Sequence, residues 1–301
     1  MSVKGEKRAR KLSLEAETRD GYRISKEMKK IWQVQLDLLE KFIDICNRHN
    51  LDYSLYAGTA IGAVRHKGYI PWDDDIDVVM MRDQYNKFLQ YAKAELKEPY
   101  FVENEESEPD FYRQYTQLRR SDTTAIIDID LEYNYNCGIS IDIFVMDKVP
   151  NDPKKRERFI RKIDFMRKLF LFHRGNKVKK LIQAVIKPRY VIKKCAKYIQ
   201  KYKDDPNAER CGIIGFRPHD RYRKTAWFRK GNFKEVPFEY LTAKITKDYD
   251  EYLTFAYGDY MMPPKEKMSG VGYERSKTFF DTKRSYLYYR DKKEEVRKLL
   301  S

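Results

Sequence analysis

Apolar positions along the first half of the chain alternate between helical and strand periods. Ile31, Leu38, Leu39, Phe42, Ile45 and Cys46 recur at helical spacing and predict an amphipathic helix over residues 24–49. The stretch "LDYSLYA" alternates and predicts a strand over 51–57, ended by Gly58. The small, apolar "GTAIGAVRH" then fits a turn entering a short helix, and Gly68 and Pro71 interrupt the chain before a strand over 75–81. Tyr85, Phe88, Leu89 and Ala92 set a helix over 82–96. Further strands are expected over 112–118, 123–129 and 138–145. Strands interleaved with helices predict an α/β (α+β) domain, a mixed sheet flanked by helices.

The pattern changes after Pro150. Phe159, Ile163, Met166 and Phe170 form one apolar stripe on a basic helix, and Val178, Leu181, Ile182, Val185 and Ile186 form a second. Beyond about Cys211 the composition is mixed again, with a helix over 247–257, a turn at Gly258 and a stop at Pro263 and Pro264. The chain therefore divides into a basic tail (1–23), a sheet core (24–150), a basic helical insertion (151–210) and a C-terminal part (211–301) that completes the core domain.

Charge sharpens that division. Residues 154–203 hold 19 Lys and Arg against Glu157 and Asp164, a net +17 in a chain whose total is +16, so the other 251 residues sum to −1. Basic helices with apolar stripes suit the headgroup plane of an anionic membrane surface. No 18-residue apolar run offers a spanning helix, and the basic N-terminus lacks the apolar segment of a secretory signal. The four cysteines are scattered without CxxC spacing, which predicts reduced thiols. A cytoplasmic protein, peripheral at the inner face of the membrane, is the expectation.

The chemistry concentrates in "YAGTAIGAVRHKGYIPWDDDIDVVM", residues 56–80. Asp73, Asp74, Asp75 and Asp77 stand against the apolar run Val78, Val79, Met80, where unpaired carboxylates would repel one another and resist burial. A cation resolves the conflict. In a strand Asp75 and Asp77 face one side, roughly 6.5–7 Å apart, and hard carboxylate oxygens favour Mg²⁺ or Mn²⁺ completed by substrate phosphates. Asp73 shares their parity and is the further candidate ligand. In "GISIDIFVMD", Asp142 lies between Ile141 and Ile143, and on a neighbouring strand it would supply a third carboxylate. A solvated acidic loop is the bland alternative; an EF-hand is excluded by spacing.

Together "GTAIGAVRHKGYIPWDDDIDVVM" and "GISIDIFVMDKVP" resemble the nucleotidyltransferase superfamily and, within it, the LicD family of phosphocholine transferases, relatives of fukutin and fukutin-related protein. The spacer "QLRRSDTT" and the later "VPFEYLTAKITKDYDEYLTFAYGDYMMPP" share that layout, so the resemblance covers about 24–150 and 227–264. It implies a nucleotidyltransferase-like fold and transfer of a phosphoalcohol, phosphocholine first, from CDP-choline or another CDP-alcohol to a sugar hydroxyl. The acceptor would be a cell-surface glycan or its lipid-linked oligosaccharide precursor, and CMP would leave. By position, the resemblance implies Asp75, Asp77 and Asp142 as metal ligands, Asp142 alternatively as base, and Gly58 and Thr59 as a phosphate turn. Arg65 and one of Arg119 and Arg120 are candidate donor-phosphate cations. Trp72 and Tyr69 are candidate aromatic partners for a choline ammonium. His66 reads as structural. The alternatives are a nucleotidyltransferase acting on a sugar phosphate or RNA, and a non-catalytic basic adaptor on membrane or nucleic acid. Nucleic acid is not expected, because the basic segment lacks a recognisable RNA-binding motif.

Overall fold

The computed structural model describes residues 12–108, 113, 115–170, 188–219, 221–263 and 277–300. A hairpin of β1 (Glu17–Arg19) and β2 (Tyr22–Ile24) leads into helix α1 (Lys26–Arg48). Ser25 caps that helix, its hydroxyl accepting the Met28 amide at 3.1 Å, a bond typically worth about 1 kcal/mol. The segment expected as a tail is thus part of the fold from Leu12 onward. Arg19 fastens it, donating to Glu239 at 2.8 Å and to the Tyr69 carbonyl at 3.2 Å.

Helix α1 buries Trp32, Leu36, Leu38, Leu39, Phe42, Ile45 and Cys46, so its predicted apolar stripe is the face laid on the sheet. The strand expected over 51–57 contracts to β3 (Ser54–Leu55), because Ala57 turns to a φ of 48° and opens helix α2 (Ala57–Arg65). Next come β4 (Asp77–Met81) and helix α3 (Arg82–Glu95). Strands β5 (Tyr100–Glu103), β6 (Thr116–Arg120), β7 (Thr124–Ile126) and β8 (Ile139–Val149) follow. Of these, β5 was not legible, and β8 runs to Val149, beyond the expected 138–145.

Strand β8 is the spine of a seven-stranded sheet. It pairs in parallel with β4, which pairs with β3. On its other edge the first half of β8 takes β6, which takes β5. The second half takes β9 (Arg210–Gly212), which pairs with β10 (Arg223–Lys224). The C-terminal part therefore completes the same sheet. It adds hairpin β11 (Phe233–Phe238) and β12 (Leu241–Thr246) and strand β13 (Phe279–Asp281), which pairs with β7.

The basic insertion contains helices α4 (Pro153–Phe170) and α5 (Pro188–Ile199). Phe159 and Ile163 are 2% and 0% exposed, packed with Ile160, Cys195 and Ile199 onto Val149 and Ile214 of the core. Fully burying each such side chain is worth about 1.5–3 kcal/mol. The described part of the first stripe therefore faces the protein, which corrects the reading of it as a membrane face. The second stripe, Val178 to Ile186, lies outside the described residues. The cations face outward: Lys154, Lys155, Arg158, Arg161, Lys193, Lys194 and Lys197 are exposed. Helix α6 (Tyr249–Tyr257) ends at Gly258 with a φ of 70°, as the turn there predicts, and α7 (Lys293–Leu300) closes the chain. No described helix is long and apolar enough to cross a membrane. The four cysteines are buried free thiols.

Helix α2 is held by backbone contact. A methyl group on Gly62 would stand 2.3 Å from the Gly68 carbonyl oxygen and 3.1 Å from the Ile70 nitrogen. Gly62→Ala is expected to lower stability by about 1–3 kcal/mol despite alanine's better helix propensity, because backbone cannot swing aside. A denaturation midpoint at or above wild type would contradict that packing.

Candidate active site

Three strands set the site. Asp77 of β4 lies opposite Asp142 of β8, and Asp142 lies opposite Gln117 of β6. Directly paired residues share a sheet face, so these polar side chains form one row across three strands. The Ile76 carbonyl accepts the Asp142 amide at 2.8 Å, extending the pairing toward Asp75. Asp75 and Asp142 both line an open cleft of about 980 Å³, which Arg113, Tyr115, Gln117 and Arg119 also line.

Asp142 is held at one oxygen, Oδ1, which accepts Gln117 Nε2 at 2.7 Å. Burial pushes its pKa up to about 6; the Gln117 bond works against that rise, the Asp75 charge adds to it, and Arg113 and Arg119 oppose it. Asp75 and Asp142 share this cleft with Asp74 and Asp130.

The G-T pair does not form a free turn. Gly58 and Thr59 sit in the first turn of α2. Thr59 Oγ1 accepts the Asp77 amide at 2.8 Å and ties the helix to the start of β4. A methyl group on Gly58 would approach Asp73 Oδ2 to 2.8 Å, so glycine leaves room for that carboxylate. Asp73 is buried beside α2, its amide donating to the Ile70 carbonyl at 2.9 Å and its own carbonyl accepting Trp32 Nε1 at 2.9 Å. Strand parity does not reach Asp73, since the strand begins only at Asp77. Its neighbour Asp74 is the one that lines the cleft with Asp75.

The cations and aromatics divide similarly. Arg119 is buried, donating to the Glu103 carboxylate through Nε, to the Gly138 carbonyl at 2.6 Å and to Gln117 Oε1. Arg120 points the other way, paired with Asp37 at 2.6 Å and Asp122 at 2.8 Å. Arg65 donates to the Tyr260 carbonyl at 2.8 Å, and its guanidinium lies 6.0 Å from the centre of the Trp72 ring. Tyr69 is in the core: its ring stacks on Trp32 at 4.3 Å and 3°, and its hydroxyl donates to Gln35 Oε1 at 3.1 Å. Tyr69 is therefore no part of the cleft, and Trp72 already faces a guanidinium. His66 Nε2 stands 2.6 Å from Asp20 Oδ2.

Against known families, residues 50–171 match the model described as LicD/FKTN/FKRP, nucleotidyltransferase domain. The chain is 34% identical over 251 residues to the lipopolysaccharide cholinephosphotransferase LicD of Haemophilus influenzae, covering 77% of this chain and 91% of that protein. The chain belongs to the LicD family. Two uncharacterised rickettsial proteins match locally: one from Rickettsia typhi at 39% over 70 residues (23% of this chain, 21% of theirs), one from Rickettsia prowazekii at 40% over 63 residues (21% and 22%).

In this LicD-family chain the residues that composition and periodicity missed are Arg113, Tyr115, Gln117 and Glu103. Gln117 falls in the predicted strand and Arg119 just past its end; only the β6–β8 register, with Gln117 opposite Asp142 and Arg119 opposite Ser140, puts them on the face of Asp142. Among the described residues no three carboxylate, imidazole or thiolate groups stand near enough to cage an ion unaided. The cleft is lined by four carboxylates, Asp74, Asp75, Asp130 and Asp142, of which Asp130 is bound to Arg113 and Tyr135; Asp77 is level with Asp142 in the next strand. Carboxylate oxygens completed by substrate phosphates are a donor set of the kind that suits Mg²⁺ or Mn²⁺ better than zinc.

Proposed function

We propose that the chain transfers phosphocholine from CDP-choline to a sugar hydroxyl of a cell-surface glycan or its lipid-linked precursor, releasing CMP. The observation that carries this reading is its 34% identity, across 77% of the chain, to an enzyme named for cholinephosphate transfer to lipopolysaccharide. The acceptor oxygen attacks the phosphorus that bears choline. A new P–O bond forms, the diphosphate P–O bond breaks, and its electron pair leaves with CMP. Asp142 takes the hydroxyl proton, and Gln117 and Ser140 set the polar floor around it. Mg²⁺ or Mn²⁺, held by Asp75 and Asp77 with the diphosphate, would neutralise charge on the leaving CMP.

Tyr115 and Phe280 line the cleft, and with Tyr69 buried they are the aromatic surfaces proposed to meet the choline ammonium. A cation–π contact contributes about 0.5–2 kcal/mol. Phe280→Ala is therefore expected to raise KM for CDP-choline by roughly fivefold, about 1 kcal/mol, and to leave KM for CDP-glycerol alone. Equal effects on both donors would contradict the choline assignment. The wider test is a panel of CDP-choline, CDP-ribitol and CDP-glycerol with a soluble glycan acceptor: CMP should form fastest from CDP-choline. A clear preference for either polyol would overturn the phosphocholine reading.

The outward cations of α4 and α5 are proposed to meet anionic lipid by charge alone, since the described apolar stripe is buried. Each cation near an anionic leaflet contributes about 1 kcal/mol. Binding to phosphatidylserine vesicles should fall steeply with salt and vanish when Lys193, Lys194 and Lys197 become glutamates. Salt-insensitive binding, or none, would contradict it.

A further inference from the structure

We infer that Gln117 is the positioning residue of Asp142, held in its orientation by a buried chain through Arg119 to Glu103. The inference rests on the proposed role of Asp142 in the transfer and adds the residues that aim it.

Gln117, Arg119 and Glu103 are 5%, 3% and 0% exposed. A glutamine amide can in principle sit either way round, presenting oxygen or NH₂. Here the choice is dictated. Arginine carries donors and no acceptor, so the Arg119 bond fixes Gln117 Oε1 toward the guanidinium and turns the NH₂ toward Asp142. Its two hydrogens then go to Asp142 Oδ1 at 2.7 Å and to Ser140 Oγ at 3.1 Å. Arg119 cannot swing, because Nε is bound to Glu103 and Nη1 to the Gly138 carbonyl at 2.6 Å.

The direction of the chain matters. Among the described residues Gln117 makes the one side-chain hydrogen bond to Asp142, and it takes a single oxygen. The carboxylate is pinned in rotation while Oδ2 is left for the cleft. Arg119 has a protein partner at each of its three nitrogens, so it acts through Gln117 instead of reaching a phosphate. A buried ion pair is poor evidence for stability, but it can specify geometry, and the geometry specified here is that of the Asp142 carboxylate.

The experiment compares Gln117→Met, which keeps the volume and removes the amide, Arg119→Lys, which keeps a charge opposite Glu103 and removes the fork, and the double variant. Expected are a fall in kcat of at least thirtyfold in each single variant, KM for CDP-choline within threefold of wild type, and a modestly lowered melting midpoint for Gln117→Met, which leaves one buried Arg119 N–H without its acceptor. The double variant should be no worse than the worse single one, as befits one chain acting through one carboxylate. The crystal structure of Gln117→Met should show the Asp142 carboxylate rotated from its wild-type orientation. Should that variant fail to fold, Arg119→Lys carries the same expectations.

Three results would overturn the inference: kcat preserved within threefold, losses that multiply in the double variant, or an Arg119→Lys variant with KM raised tenfold at constant kcat. The last would make Arg119 a direct substrate contact. If the wild type releases no CMP from any CDP-alcohol, the proposed function fails on its own. The crystal structure of Gln117→Met then decides the positioning claim, an Asp142 carboxylate rotated from its wild-type orientation supporting it and an unmoved one refuting it.

Discussion

Asp75→Asn and Asp77→Asn should each lower kcat by about three orders of magnitude, roughly 4 kcal/mol of transition-state stabilisation. The effect is large because charge on the diphosphate bridge grows as CMP leaves, so a carboxylate that anchors its counter-ion acts mainly in the transition state. An amide keeps the size of the side chain and loses the anionic oxygen. The fold should not suffer: the Asp75 charge raises the pKa of Asp142, a sign that the two anions repel when nothing lies between them. Removing one relieves that repulsion, so the melting midpoint should hold or rise. Activity within about tenfold of wild type, a loss of only 1.4 kcal/mol, would remove the residue from the site.

Asp147→Ala should cost about 3–5 kcal/mol of stability, much of a typical domain's total of roughly 5–15 kcal/mol. Asp147 sits on β8 and accepts both Nε and Nη2 of Arg82, each at 2.7 Å. Its carboxylate is buried, and Arg82 opens α3 and packs over the Tyr85 ring. Deleting the acid leaves a guanidinium in the interior with its fork unmatched. Replacing both partners, as Arg82→Met with Asp147→Leu, should recover much of the loss, since an apolar pair of similar volume needs no counter-charge. Urea denaturation measures both. An Asp147→Ala protein within about 1 kcal/mol of wild type would show that water reaches Arg82 and that the pair is not a structural anchor.

The acids were legible in the sequence because each violates its surroundings. Asp75 and Asp77 precede a buried strand, and Asp142 interrupts a run of isoleucine, so each demanded a cation or a partner. What the pattern could not supply was the partner's address. Asp77 and Asp142 are 65 positions apart, and their pairing depends on β4 and β8 lying parallel and adjacent. The parity that pointed to Asp73 presumes extended backbone, and the chain there turns, with the Asp73 amide bonded to Ile70. Tyr69 looked available beside the acid cluster until Trp32 of α1 stacked on it. The α4 stripe could equally meet lipid or protein by its periodicity; Cys195 and Ile214, distant in sequence, supply the partner. Gln117 carried no signal at all, since a polar residue in a strand ordinarily faces water. Its meaning comes from Arg119 on one side and Asp142 on the other.

Transfer of the outer phosphoryl group of a CDP-alcohol by the Asp75, Asp77 and Asp142 row leaves a distinctive phosphorus signature. A ³¹P NMR time course with CDP-choline, Mg²⁺ and a glycan acceptor tests it most directly. The diphosphate doublets should decay into two singlets of equal area, CMP and a choline phosphodiester on the acceptor, and neither should appear with Asp142→Asn. Pyrophosphate formed from CTP, with no CMP released from any CDP-alcohol, would contradict it and make the chain a nucleotidyltransferase.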